Sequence, residues 1–482
     1  MAWTLQLENS MIHPPDRAVI GKEFPLSRKI EERKPISRRG FIGASIAAVS
    51  AAGLKAKERV VGQAAPAQAP AQDKPMPKIK EYRRLGRTGY KVSDISMGGG
   101  PLSNANVLRA AIDAGVNYVD TAEHYENGGS ERTIGEVLQT HDRKSLFITT
   151  KLNLSFRKAA TKADIRDRFM KCLERMRTDY ADCLMIHMCT LAQVKFEPYH
   201  ELIGELKAEG KVRFSGLSNH GADLSLFGRL DDPMDQVVMA AAEDGRFDIM
   251  LFVYNFLQRE AGEKVLKACA AKDVGVTLMK SDPGLIVASE KEVLDSAEAR
   301  YKKDGKEVPE AVVKAKLRAA ERAAVTEAFM KKHGLAGEKK TRDAAIRFCL
   351  NNPGVHAVCP SINSFEALEA FVSLSGQKLD LADAALLDDC REVYGSSYCR
   401  HACGLCESSC PRGVPVNTIM RYEYYFTARG REKEAMGLYS SVSGRGLDAG
   451  ECAGCAGTCE AACPYGVPIQ AKLLMAHEDL TP

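Results

Sequence analysis

Between Tyr82 and Gln377, short apolar runs alternate with longer segments whose apolar residues recur every three to four positions. The runs are ISMGG, VNYVDTA, SLFITTKL, ADCLMIHM, VRFSGLSNH, DIMLFVYN, GVTLMKS and HAVCPSI. Each is compact and ends in or near polar residues, the pattern of a buried strand that delivers side chains to an edge. The stretches between them read as helices. ANVLRAAIDAG puts Val107, Leu108, Ala111 and Ile112 on one face and stops at Gly115. IRDRFMKCLERM and YHELIGELKAEG repeat the pattern, the latter stopping at Gly210. Ahead of them, YRRLGRTGYKVSD predicts a hairpin around Gly86–Gly89. Eight strand–helix units in roughly 290 residues predict an α/β fold, a closed parallel (β/α)8 TIM barrel. A doubly wound open sheet, the alternative, would need a glycine-rich phosphate loop after an early strand, and GGGPLS lacks that fingerprint. Residues 286–340 follow the seventh strand and are rich in Lys, Glu and Ala. This insertion reads as a solvated helical excursion or, since it leaves the catalytic face, as a lid.

Composition changes the picture at the ends of the chain. Its 482 residues are 45% hydrophobic and 27% charged, which is globular composition. The net charge of +4 is concentrated in residues 1–77, leaving a nearly neutral body with no electrostatic footprint for nucleic acid. No apolar run reaches the ~18–20 residues of a stable membrane span. The segment SRRGFIGASIAAVSAAG, Ser37 to Gly53, has a basic flank, a short apolar run and small residues. It resembles a twin-arginine (Tat) signal, which implies transport of folded protein by the Tat machinery to a periplasmic or other extracytoplasmic location. A basic tail that happens to hold Arg38 and Arg39 is the plainer reading, and the 36 residues ahead of Ser37 depart from the usual pattern. Cleavage is expected after Ala69, within a Pro/Ala/Gln-rich spacer. The chain thus divides into a signal region and linker (1–77), a barrel (78–390) and a cysteine-rich segment (391–482).

Barrel chemistry sits at the carboxyl ends of the strands. Those ends carry Asp120 with Tyr125 five residues on, Lys151, His187, Ser218–Asn219 and Tyr254–Asn255. Singly, each has an ordinary structural explanation: a helix cap, a solvated lysine, a core histidine. The segments AIDAGVNYVDTAEHYENGGSERTIGEVL, ITTK, LMIH, GKVRFSGLSNH and FVYN together resemble the aldo-keto reductase family, over about Tyr82 to Gly376. That resemblance implies a nicotinamide lying across the mouth and a catalytic tetrad of Asp120, Tyr125, Lys151 and His187. A free tyrosine titrates near 10, and a nearby lysine cation favours its phenolate. Tyr125 would then act as general acid in carbonyl reduction, with His187 directing the carbonyl oxygen. By the same resemblance, Ser218 and Asn219 would bind the carboxamide and Tyr254 would stack on the ring. Two features depart from the family. Leu251 stands where a carboxamide-binding glutamine is usual, and His356 to Gln377 contains no Lys or Arg for an adenosine 2′-phosphate. Ser361 and Asn363 remain to bind phosphate at a helix start. NADP is therefore not favoured over NAD.

Of fifteen cysteines, eight fall between Cys399 and Cys463. They form two runs, Cys399-x3-Cys403-x2-Cys406-x3-Cys410-Pro and Cys452-x2-Cys455-x3-Cys459-x3-Cys463-Pro, each continuing into x-Gly-Val-Pro. Disulfides and zinc both account for the cysteines, but neither for the repeated Cys-Pro. The runs resemble a two-cluster ferredoxin of the α-helical type, which implies two 4Fe–4S clusters. The last cysteine of each run would then serve the other cluster: Cys399, Cys403 and Cys406 with Cys463, and Cys452, Cys455 and Cys459 with Cys410. Such clusters are assembled in the cytoplasm, which would explain a signal for folded export. The expected function is an exported oxidoreductase acting on a carbonyl or alcohol, with iron–sulfur electron transfer. The alternative is a non-catalytic electron-transfer or docking subunit that passes electrons to a redox partner.

Overall fold

A computed structural model describes residues 75–481 except 157–159, 222, 226–227, 231, 284–289, 402 and 430. The expected export signal lies outside the described residues. The eight apolar runs form eight strands: β1 (Met97–Gly98), β2 (Tyr118–Asp120), β3 (Phe147–Leu152), β4 (Ala181–Ile186), β5 (Val212–Asn219), β6 (Ile249–Val253), β7 (Gly275–Met279) and β8 (Ala357–Val358). Each pairs in parallel with the next in chain order. Parallel bridges Ile95↔Val358 and Gly98↔Ser361 join the first run to the last, so the sheet curls round onto itself. The hairpin pairs Tyr82–Arg84 with Lys91–Ser93.

Side chains alternate between the two faces of a strand, and this alternation builds two concentric cores. Tyr118, Phe147, Cys183, Met185, Ile249, Leu251 and Ala357 point into the barrel, where Leu85 and Val92 of the hairpin join them. Val119, Ile148, Leu184, Ile186, Met250, Phe252, Val276 and Leu278 point outward against the helices. The Ala105–Asp113 helix contributes Val107, Leu108 and Ala111 to that outer layer, while Ile112 is only partly buried. Extended two residues at a time, the inward series of β2, β3 and β4 runs from Tyr118 to Asp120, from Phe147 to Lys151 and from Cys183 to His187. The register Asp120↔Thr149 and Lys151↔Met185 brings these ends to one rim.

The insertion forms two helices, Glu290–Lys303 and Glu310–His333. They are neither a free excursion nor the wall of the barrel mouth. Leu294, Ala297, Tyr301, Val312, Ala315 and Ala319 form one apolar cluster with Ala471 and Met475 of the C-terminal helix, Ile469–Leu480. Ion pairs Lys306–Glu478 (2.7 Å) and Arg318–Glu460 (2.9 Å) flank that contact. The insertion is a bracket that holds the cysteine-rich segment, and barrel, insertion and tail form one compact unit, Asp73–Pro482.

One carboxyl in this bracket carries a pH dependence. Burial, and then the neighbouring Asp479, push Glu423 up to about 8, against the relief offered by Arg300 and Lys472. A carboxyl with a raised folded pKa stabilises the fold in its protonated form, and that contribution drains away as pH rises from about 4.5 through 8. Glu423→Gln keeps the protonated shape at every pH. Its melting temperature should exceed the parent's by a margin that widens between pH 6 and pH 8.5, by about 2–4 °C per kcal/mol. A margin independent of pH would contradict this assignment.

Candidate active site

Lys151 reaches the inner rim with its ammonium fully buried. Its Nζ donates to both oxygens of Asp120 at 2.6 and 2.7 Å and to the Thr121 carbonyl at 2.6 Å. Burial opposes the charge on Lys151, but Asp120 and Tyr125 more than offset it, so the pKa lies above that of a free lysine. The approach of β1 to β2 that shapes this corner admits only glycine at position 99, because a Cβ there would lie 1.9 Å from the Asp120 carbonyl oxygen.

Tyr125 stands above the pair, its ring centroid 4.9 Å from Lys151 Nζ. It is presented by a strained turn, with Glu126 and Asn127 both at φ 52° before Gly128 at φ 77°. Consecutive left-handed non-glycine residues are costly, and such strain concentrates at functional sites. The ring of His187 meets that of Tyr125 edge-on at 5.6 Å and stacks on His124 at 4.8 Å. Burial, with the neighbouring His124 and Lys151, holds His187 well below the usual histidine range, so its imidazole is neutral at pH 7. Tyr125 differs from the sequence expectation. Burial raises its pKa more than Lys151 lowers it, and the phenol sits above its ordinary value. It therefore stays protonated at neutral pH, as a proton donor must.

A cavity of about 410 Å³ opens at this rim, lined by Gly98–Pro101, Asp120, Tyr125, Leu251, Ser361 and Asn363 among others. Asp120 and Tyr125 of the tetrad and the two expected phosphate ligands line this cavity, while Lys151 and His187 pack behind them and do not line it. Ser361 Oγ donates to the Gly100 carbonyl at 2.8 Å. A larger cavity of about 550 Å³ lies between the insertion and the Leu381–Tyr394 helix and touches none of the tetrad.

Three expected ligands are elsewhere. Tyr254 shares the outward parity of Met250 and Phe252; its ring packs 5.4 Å from Phe348 and against Gly262, where a Cβ would lie 2.4 Å from it. It cannot stack on a ring in the mouth without leaving the helix layer. Asn219 uses its amide on the Cys189 carbonyl (2.6 Å) and the Gly221 amide (2.6 Å), and Ser218 Oγ accepts from Met188 N at 3.3 Å. These two residues pin the loop after His187, and neither lines the mouth cavity. Sequence reading missed Lys280 and Ser281, which do line it from the end of β7. Their signal was available: GVTLMKS ends in polar residues, as the other strands do.

The tail forms the other wall. Arg421, Tyr424, Tyr425 and Arg431, on or just after the Val416–Arg429 helix, line the mouth cavity. The tail is pinned to the rim by Gln258, whose side chain donates to His401 O (2.8 Å) and accepts from His401 N (2.9 Å).

The eight cysteines are free thiols. Cys399, Cys403, Cys406 and Cys463 line one small cavity, and Asn417 Nδ2 lies 3.2 Å from Cys399 Sγ. Among the other four, burial and then the charges of neighbouring thiols push Cys452 up to about 12 and Cys459 up to about 11; Cys455 and Cys410 are among those neighbours. The duplication is structural as well. Glu407 accepts from the backbone amide of Asn417 (2.9 Å), and Glu460 from that of Gln470 (3.2 Å), at matching positions of the two repeats. Among the described residues, no three His, Cys, Asp or Glu are arranged to hold a single metal ion.

The model of the Aldo/keto reductase family matches residues 101–392, more than half of the chain. The chain belongs to the aldo/keto reductase family. It is 27% identical over 216 residues to the aldo-keto reductase YhdN of Bacillus subtilis, covering 41% of this chain and 60% of that protein. It is 27% identical over 230 residues to the NADH-specific methylglyoxal reductase of Escherichia coli, covering 41% of this chain and 66% of that one. The chain spans between about half and two thirds of the length of these curated relatives. Among solved structures, an aldo/keto reductase from Klebsiella pneumoniae in complex with NADP and acetate aligns at 20% identity with a TM-score of 0.45, over 64% of this chain and 95% of that one.

Proposed function

We propose that this aldo/keto reductase reduces a small carbonyl compound at the barrel mouth, with a nicotinamide dinucleotide as hydride source. The observation that carries the reading is the buried Asp120–Lys151–Tyr125 contact beside a neutral His187, opening on the mouth cavity. The residues at the mouth fit such a group: the cavity is lined by polar groups from several strand ends, among them Asp120, Tyr125, Ser281 and Ser361, and His187, packed against Tyr125, carries a buried Nδ1 with no hydrogen-bond partner. Reduction needs hydride on carbon and a proton on oxygen, and the nicotinamide, when bound, supplies the hydride. Tyr125 donates its phenolic proton to the carbonyl oxygen. Lys151, held charged by Asp120, stabilises the phenolate left behind. The neutral His187 donates a hydrogen bond to the same oxygen and shares its growing charge. The methylglyoxal reductase among the relatives supports a short, reactive carbonyl as the substrate class.

We further propose that the tail holds two 4Fe–4S clusters, Cys399, Cys403, Cys406 and Cys463 at one and Cys410, Cys452, Cys455 and Cys459 at the other. The support is the grouping of thiols across the repeat and the cavity that four of them share. A four-iron cluster is wider than one ion and keeps its thiolates further apart, so the lack of a single-ion site does not count against it. When bound, such a cluster exchanges one electron at a time. We also propose export by the Tat route, already folded and loaded; the Ser37–Gly53 segment supports it.

Two experiments test these readings. Tyr125→Phe should lose carbonyl turnover by about 100-fold or more while iron per chain stays at the parental level. Unchanged turnover would leave the electron-transfer or docking subunit as the better reading. Replacing Arg38 and Arg39 together with lysine should retain the protein in the cytoplasm, as seen by cell fractionation; undiminished export would rule out the twin-arginine route.

A further inference from the structure

The segment after β8 brings no lysine or arginine to an anionic ligand, yet the mouth cavity is not without cations. They arrive from the other wall. Arg431 is tied up in a two-pronged ion pair with Glu434, at 2.7 and 2.5 Å. Arg421 is not. Its guanidinium lies 4.9 Å from the centre of the Tyr424 ring, and its Nε–H, shielded from solvent, donates to nothing. Ser281, at the end of β7, lines the same cavity. It is 5% exposed, and its hydroxyl also has no partner. Buried polar groups are nearly always satisfied, so each such orphan asks for an explanation. Neither residue has a part in the proton transfer by Tyr125, and the hydrogen bond to Tyr398 leaves the Nε of Arg421 without a partner.

A planar guanidinium and a hydroxyl, one from each wall of a cavity, are donors suited to a phosphate. We propose that Arg421, carried by the cysteine-rich tail, binds a phosphate of the dinucleotide whose nicotinamide faces Tyr125, with Ser281 donating to the same anionic portion. This rests on the reading of the mouth as a nicotinamide site and adds to it that the site is bipartite. The barrel alone lacks a strong phosphate contact at its last strand, and the tail provides one. The dinucleotide then binds well only when the tail is folded against the rim, and by linkage a bound dinucleotide holds the tail in place.

The test is calorimetric titration of the oxygen-free, iron-loaded full chain with NADPH and, separately, NADH. The parent should bind at least one of them. Arg421→Gln should weaken that binding by about tenfold or more, with iron per chain and the visible spectrum unchanged. Arg421→Lys retains a charge but not the planar fork, and should weaken it by a smaller factor; if the glutamine variant loses its iron, the lysine variant decides. Parental affinity in an iron-loaded variant overturns the role of Arg421 and leaves the nicotinamide reading intact. A parent that binds neither dinucleotide overturns both.

Discussion

An ammonium with no solvent exposure dictates the layout of this molecule's mouth. Removing a lysine charge from water costs several kcal/mol even after relaxation, and only close, well-placed oxygens offset that. Lys151 has three within 2.7 Å. To supply them, β2 and β3 must be adjacent, in one register, with Asp120 and Lys151 on the same face. The chain around them follows: glycine at position 99 where β1 presses on β2, and a strained turn that brings Tyr125 back over the pair. Burial, and after it the positive charge held there, keeps the neighbouring His124 and His187 neutral. Burial of the cluster, with the paired cation inside it, thus sets the protonation states on which the proposed proton transfer depends.

Most of the barrel was legible in the sequence because strand burial is a local, periodic signal. All eight runs became strands, and the parity of Tyr118, Phe147 and Cys183 already points Asp120, Lys151 and His187 inward. Tyr254 was misjudged because its position at a strand end was weighed without its parity, which it shares with the outward Met250 and Phe252. Asn219 was misjudged for a different reason. An asparagine amide satisfies whichever backbone groups lie nearest, and only the folded loop shows that these are Cys189 and Gly221. After β8 the sequence offers a phosphate only Ser361 and Asn363, with no cation; the cation proposed for it, Arg421, lies on the tail. A wall contributed from some sixty residues further along the chain leaves no mark on local periodicity, since docking is decided by tertiary packing.

The insertion acquires a purpose in that packing. A Lys/Glu/Ala-rich pair of helices with small apolar faces could have been solvated, but its alanines let the C-terminal helix approach closely, and its lysines and arginines meet Glu460, Glu478 and Asp479. The cysteine-rich tail is then not a bead on a tether. It is held on one side by the insertion and on the other by Gln258 at the barrel rim. Its duplicated Glu–Asn and Glu–Gln contacts order the thiols in two matching halves.

The central claim is that the tail walls the barrel mouth and, on the proposed cluster reading, that iron keeps it there. Hydrogen exchange of the full chain, before and after oxygen-free removal of iron by a chelator, tests it directly. Iron removal should speed exchange in the mouth segments 98–101, 120–125 and 279–282 and in the helix Val416–Arg429, while the central strands β3 and β4 keep their protection. Mouth exchange that is the same with and without iron would contradict the account.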